Sequence, residues 1–213
     1  MDFLPSLLCI TTDNSIFSHQ EQVLAFIRKG ARFVQIRSKA LDKDELGRQV
    51  EQSLKHVKGS GALLIVNDFL DLARDFAVSG LHLGANDCSV EQAREILGAD
   101  AIIGSTVHNL DDAIKVKELG LCDYVGLGPI RGSRTKLDLA PVLSKETLDE
   151  ILILLSPLPV YLIGGIELSD CDLISRYDIA GIAVCSALSQ GSGCGNQVGH
   201  FIEHLESSNL NMV

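Results

Sequence analysis

Short apolar runs alternate with stretches of helical periodicity along the whole 213-residue chain. Strands are read at 7–10, 33–37, 62–66, 80–84, 101–104, 124–128, 159–163 and 181–185. Helices are read at 20–29, 42–57, 70–77, 89–97, 109–119, 144–155, 169–176 and 197–205. Ser89, Asn109 and Ser144 stand where a side chain caps a helix start, and Gly30 and Gly120 where a helix ends. The run Ala62-Leu-Leu-Ile-Val66 has no polar alternation, so it is buried on both faces, as in a parallel sheet. Strict alternation with short connections implies right-handed crossovers. Eight such units fit a closed (β/α)8 TIM barrel, an α/β fold in one domain over residues 1–213, with a tail that frays after about 206. An open doubly wound sheet is the runner-up. It would carry a Gly-rich fingerprint after the first strand, and none stands there.

Apolar residues make up 46% of the chain, enough for a large core, and the lack of Trp predicts that this core is aliphatic. A net charge of −10 argues against nucleic acid or an anionic membrane as a partner. The six cysteines form no C-x-x-C pair and fit no zinc spacing, so free thiols of a reducing compartment are expected. Residues 1–14 lack the basic start and apolar run of a signal peptide, and no segment reaches the ~20 apolar residues of a membrane helix. The expectation is a cytoplasmic protein acting on small molecules, with self-association left open.

In a barrel of this kind, chemistry gathers at the C-terminal ends of the strands. Strand two ends with Gln35, Arg37 and Lys39, and strand three with Asn67 and Asp68. Strand four carries His82 and leads to Asp87, and strand five leads to Ser105, Thr106 and His108. Strand six opens into a loop with Ser133, Arg134, Thr135 and Lys136, whose hydroxyls, amides and cations suit phosphate oxygens. Strand seven ends at Gly164-Gly165 and strand eight at Cys185-Ser186. Arg37, Lys39 and Lys136 thus share one edge with Asp68 and Asp87. A Mg2+ ion bridging the two carboxylates and phosphate oxygens accounts for both charges at once. Asp68 read alone is a helix cap, but that explains neither Asp87 nor the cations. The Gly164-Gly165 turn and Ser186 suggest a second phosphate site, since the loops after strands seven and eight often form one.

These residues resemble the thiamine phosphate synthase family over about residues 33–188. The family's Q-x-R-x-K pattern stands as Gln35, Arg37 and Lys39, its N-D pair as Asn67 and Asp68, and its H-x-G segment with a following Asp as His82, Gly84 and Asp87. Its G-L-G-P-I segment begins at Gly126, its T-K is Thr135-Lys136, and its I-G-G-I turn is 163–166. The resemblance implies condensation of an aminopyrimidine methyl diphosphate with a thiazole phosphate, giving thiamine phosphate and pyrophosphate. It implies Arg37, Lys39 and Lys136 on the leaving diphosphate, with Asp68 and Asp87 holding Mg2+. It implies Gln35 on the pyrimidine, Thr106 near the diphosphate in place of a Ser, and Asn67 as an uncharged donor or acceptor. Ser133, Thr135, Gly165 and Ser186 would take the thiazole phosphate. Cys185 is counted in the substrate-facing set, although a cysteine inside strand eight is more often packing than chemistry.

Two positions depart from the family pattern. Arg131-Gly132-Ser133 stands where F/Y-P-T is usual, and Ala85 replaces a polar residue before Asp87. Two other readings stay open: a thiazole tautomerase-like isomerase using His108, and a non-catalytic phosphate-ligand sensor. The His200 and His204 pair is read as a solvated face of the last helix rather than a metal site.

Overall fold

The computed structural model describes residues 4–132, 141–189 and 193–210. Eight parallel strands close into a barrel in sequence order. They are β1 (Leu7–Ile10), β2 (Phe33–Ile36), β3 (Leu63–Asn67), β4 (Gly80–Leu83), β5 (Ile102–Val107), β6 (Tyr124–Leu127), β7 (Val160–Ile163) and β8 (Gly181–Val184). Closure comes from β1 pairing with both β2 (Leu8 opposite Phe33) and β8 (Cys9 opposite Val184).

The helices are α1 (His19–Arg28), α2 (Lys43–Val57), α3 (Leu70–Asp75), α4 (Val90–Leu97), α5 (Leu110–Leu119), α6 (Lys145–Leu155), α7 (Leu173–Arg176) and α8 (Asn196–Leu210). Ser18, Asp42, Ser89, Asn109 and Ser144 cap α1, α2, α4, α5 and α6, each accepting an N–H three residues on. Each cap contributes ~1 kcal/mol and fixes where the helix turns back from its strand. The expected helix after strand seven is mostly a 3-10 turn at Leu168–Asp172, with α7 a single α-turn behind it. Strand five is longer than expected, so Ser105 and Thr106 lie within β5.

Alternate side chains divide the buried residues into two cores. Leu7, Cys9, Val34, Ile36, Leu64 and Val66 face outward and pack with the helices in the larger core. Leu8, Ile10, Phe33, Ile65, Tyr124, Tyr161 and Ala183 fill the barrel itself. Burying each Leu, Ile or Val stabilises the fold by ~1.5–3 kcal/mol before the cost of ordering the chain. The aliphatic expectation holds for the outer core and fails for the inner one. There Phe33, Tyr124 and Tyr161 meet edge to face, with centroids 5.4–5.7 Å apart. Eight strands leave an interior that a few broad rings can fill. No disulfide joins any of the six cysteines. No described helix is long and apolar enough to cross a membrane.

Candidate active site

At the C-terminal ends of the strands lies a cavity of about 260 Å3. Gln35, Arg37 and Lys39 reach it from β2, Asn67 and Asp68 from β3, and His82 and Asp87 from β4. Thr106 and His108 line it from β5, and Gly126, Gly128, Pro129, Ile163 and Gly164 from β6 and β7. A larger cavity, about 830 Å3, opens at the opposite end beside Leu63, Ile102, Val160 and Ala180. Its walls are mostly apolar and no candidate residue faces it, so size does not mark the site here.

The loop after β2 is held from beneath by the loop after β1. Thr11 Oγ1 accepts the Arg37 N–H at 3.0 Å. Asp13 accepts the Lys39 N–H at 2.8 Å and the Ser38 hydroxyl. His19 joins the two acceptors, with Nδ1 2.7 Å from Thr11 Oγ1 and Nε2 3.1 Å from Asp13. Asp13 can only accept, so His19 donates to it from Nε2, and Nδ1 of the neutral ring accepts the Thr11 hydroxyl. Burial holds the His19 pKa below its usual value despite Asp13, so the ring is neutral at pH 7. Burial pushes the Asp13 carboxyl up, but the hydrogen bonds from Lys39, Ser38 and His19 outweigh it and hold the pKa down.

Asp68 does not cap a helix. The residue at the start of α3 is Phe69, with no side-chain cap, and Asp68 sits at φ 68°. This left-handed backbone is uncommon outside glycine, Asn and Asp. The Asp68 N–H bonds the His82 carbonyl at 2.9 Å, and its carboxylate takes the Lys39 ammonium. Asp87 is fixed by its own turn, accepting the Gly84 N–H at 2.7 Å. Burial, followed by the hydrogen bond and charge of Asp68, pushes the Asp87 pKa up. A carboxyl raised by a second carboxylate marks a pair short of positive charge. Hard, acceptor-only oxygens of this kind suit Mg2+, which often takes only one or two carboxylates and completes its shell with phosphate and water. No group of three or more His, Cys, Asp or Glu that could hold a metal ion converges among the described residues.

Below the carboxylates, His82 spans the barrel from β4 to β6. One ring nitrogen lies 3.0 Å from Tyr124 Oη and the other 3.0 Å from Thr106 Oγ1. Burial lowers its pKa to about 4, so the imidazole is neutral and fixes the Thr106 hydroxyl. Gly104 makes the room: a Cβ there would lie 2.2 Å from Tyr124 Cζ and 2.6 Å from His82 Nδ1. His108 donates from Nδ1 to the Gly128 carbonyl at 2.6 Å, so Nε2 is the ring nitrogen not used by the described fold. Gln35 is 2% exposed, and its Nε2 is buried with no partner among the described residues. A buried amide donor left unpaired costs roughly 1–3 kcal/mol, so a ligand acceptor is its natural partner.

The cavity therefore brings together Gln35, Arg37, Lys39, Asn67, Asp68, Asp87 and Thr106. Gly165, Cys185 and Ser186 stand beside it rather than in its described wall. The Cys185 thiol reaches the Thr11 carbonyl at 3.8 Å, in keeping with packing. Ser133, Thr135 and Lys136 lie outside the described residues. Exposed His200 and His204 bond to Gln197 and to the His200 carbonyl on α8, as expected of a solvated face. Sequence reasoning missed Thr11, Asp13, His19 and Tyr124. Thr11 and Asp13 read only as turn residues, and each meets its partners through the closed sheet. The one signal was the inward register of Tyr124 and His82 on strands two apart.

The sequence model of the family described as Thiamine monophosphate synthase matches residues 7–188. A thiamine-phosphate synthase of Bacteroides fragilis is 33% identical over 189 residues, 87% of this chain and 92% of its own. One from Flavobacterium johnsoniae is 35% identical over 186 residues, 85% of this chain and 87% of its own. The solved structure of thiamine phosphate pyrophosphorylase from Pyrococcus furiosus superposes with a TM-score of 0.83 at 27% identity, covering 95% of this chain and 96% of that one.

Proposed function

The chain belongs to the thiamine monophosphate synthase family and is a transferase of thiamine biosynthesis, and from that premise we propose the reaction at its mouth. The substrates are 4-amino-2-methyl-5-(diphosphooxymethyl)pyrimidine and a thiazole phosphate, and the products are thiamine phosphate and pyrophosphate. One observation carries the reading: Asp68 and Asp87 share a small cavity with Arg37 and Lys39, and Lys39 already lies on Asp68. Carboxylates next to cations suit a metal-bound diphosphate better than a neutral ligand.

The bond that breaks joins the pyrimidine methylene to the diphosphate oxygen, and its electron pair leaves with pyrophosphate. Electron donation from the aminopyrimidine ring supports the methylene cation, so no protein nucleophile is required. The thiazole nitrogen then gives its lone pair to that carbon. Asp68 and Asp87 would hold Mg2+, which when bound neutralises charge on the leaving diphosphate. Arg37 and Lys39 neutralise the remaining oxygens. The Lys39 side chain is 57% exposed and free to swing from Asp68 to the diphosphate. Thr106, held by neutral His82, donates its hydroxyl to the same group. Gln35 meets a ring nitrogen or the amino group of the pyrimidine. Lys136 on the diphosphate, and Ser133, Thr135, Gly165 and Ser186 on the thiazole phosphate, complete the assignment, with Asn67 as an uncharged partner and Cys185 as wall.

A second reading has one observation behind it. His108 gives Nδ1–H to Gly128 and keeps Nε2 unused by the described fold beside the cavity, which suits proton shuttling in a thiazole isomerase. A coupled assay for thiamine phosphate with both substrates and Mg2+ decides between the two. Pyrophosphate release that depends on Mg2+ and on both substrates is the expected result. No release, with thiazole isomerisation lost in His108→Ala, transfers the site to the isomerase.

A further inference from the structure

Arg131 stands where the family pattern has an aromatic residue, and its guanidinium is not free to meet a phosphate. It forms a two-pronged pair with Asp170, NH2 lying 2.6 Å from Oδ1 and NH1 on Oδ2. Asp170 is 4% exposed and also accepts the Glu167 N–H at 2.8 Å, so the 3-10 turn after β7 holds it in place. A fork of this geometry fixes orientation as well as distance.

The same residue grips the Gly164-Gly165 turn. The Arg131 N–H donates to the Gly164 carbonyl at 3.2 Å, and NH1 lies 3.4 Å from the Gly165 carbonyl. Both glycines have left-handed φ, 101° and 67°. A Cβ on Gly165 would sit 2.9 Å from Arg131 Cβ, so the two chains touch. In a trans peptide the C=O and the following N–H point opposite ways. With both carbonyls turned to Arg131, the N–H groups of Gly165 and Ile166 face away from it. Gly164 lines the mouth cavity, whereas Arg131 and Asp170 lie outside its described wall.

We propose that Arg131 is a positioning residue. Anchored on Asp170, it sets the peptide planes of the Gly164–Ile166 turn so that two amides are presented to the phosphate of the second substrate. The inference rests on the reading of this turn as the thiazole phosphate subsite. It also explains the departure from the family pattern, because the aromatic residue is exchanged for an ion pair that ties the loop after β6 to the turn after β7.

The test varies each substrate separately in Arg131→Gln, Asp170→Asn and the exchanged pair Arg131→Asp with Asp170→Arg. Loss of one charge-assisted pair should raise the KM for thiazole phosphate about ten-fold in either single variant. The KM for the pyrimidine diphosphate should stay within about two-fold. The exchanged pair should not recover the loss, because an aspartate in place of Arg131 has no donor for the Gly165 carbonyl and an arginine in place of Asp170 no acceptor for the Glu167 N–H. Equal rises in both KM values, or no change in either, would overturn the proposal. Arg131→Lys, which keeps the charge but not the fork, serves if Arg131→Gln fails to fold, and should raise the same KM alone. A second readout does not depend on turnover. Titration with inorganic phosphate should shift the Gly165 and Ile166 amide resonances in the wild-type protein and much less in Arg131→Gln. Identical shifts in both proteins, or none in either, would reject the proposal. Wild-type turnover that is absent would defeat the functional reading, and the amide shifts would still decide this one.

Discussion

Two residues of the mouth carry features that direct the tests of ligand binding. Gln35 is one, because its buried Nε2 has no partner among the described residues. Gln35→Leu removes that donor and keeps most of the volume. The expected result is unchanged or higher thermal stability, by up to ~1 kcal/mol, with the pyrimidine diphosphate KM raised about ten-fold. A fall in stability with no change in KM would mean that Gln35 serves the fold alone. Asp68 is the other. Its left-handed φ would cost Ala roughly 1–2 kcal/mol, so Ala confounds strain with lost charge. Asn tolerates this backbone, which makes Asp68→Asn the informative change. It should keep the melting temperature close to wild type and cut kcat/KM about 100-fold or more. Near-normal turnover at ordinary Mg2+ would remove Asp68 from the metal assignment. The sequence made the wrong local choice open here: Asp followed by a helical pattern reads as a cap, and only the fold shows that Phe69 intervenes.

At the scale of elements, the site depends on one loop resting on another. Thr11, Asp13 and His19 hold the backbone that carries Arg37 and Lys39. Burial depresses the folded pKa of His19 and outweighs the opposing pull of Asp13, with the Arg37 charge adding to the depression. The unfolded chain therefore takes up a proton near pH ~6.5 that the folded chain refuses, and stability falls as pH drops through that value. The depressed Asp13 contributes stability that is present above ~3.9 and is lost as pH falls through its lower folded value, a second decline. In His19→Gln, urea midpoints measured from pH 7.5 downward should fall less steeply below pH ~6.5, keeping the part that buried His82 contributes and the later Asp13 loss. The same slope in both proteins between about pH 6.5 and 5 would mean that His19 does not refuse its proton. Strand and helix order was legible because burial on both faces writes itself as unbroken apolar runs such as Leu63–Val66. Several caps were legible because Ser89, Asn109 and Ser144 act within three residues of themselves. The support under Arg37 was not, because Asp13 and Lys39 are 26 residues apart and meet only when β1 and β2 pair. The Tyr124–His82 contact is hidden for the same reason, at a separation of 42.

The whole molecule carries a charge of −10, yet the proposed substrates are anions. The barrel reconciles these facts by geometry. Every helix that follows a strand begins at the mouth, so the positive ends of the helix dipoles surround the cavity while acidic side chains spread over the outside. Arg37 and Lys39 add local cations, and the proposed metal site at Asp68 and Asp87 would add a divalent one. The proposed anion would therefore be held by the mouth as a unit, lined from seven of the eight closed strands. Binding there should stabilise the barrel against global unfolding rather than one segment. A ligand at 100 times its Kd adds ~2.7 kcal/mol, which for a chain of this size raises the melting temperature by roughly 5–10 °C. Pyrophosphate with Mg2+ should produce that shift in a single transition, and neither alone should approach it. Asp68→Asn should abolish the joint effect while leaving the unliganded melting temperature in place. A full shift with pyrophosphate alone would assign the anion to Arg37, Lys39 and the helix ends, without a metal. A split transition, with only part of the chain stabilised, would show that the strands bearing the site do not unfold as one closed sheet.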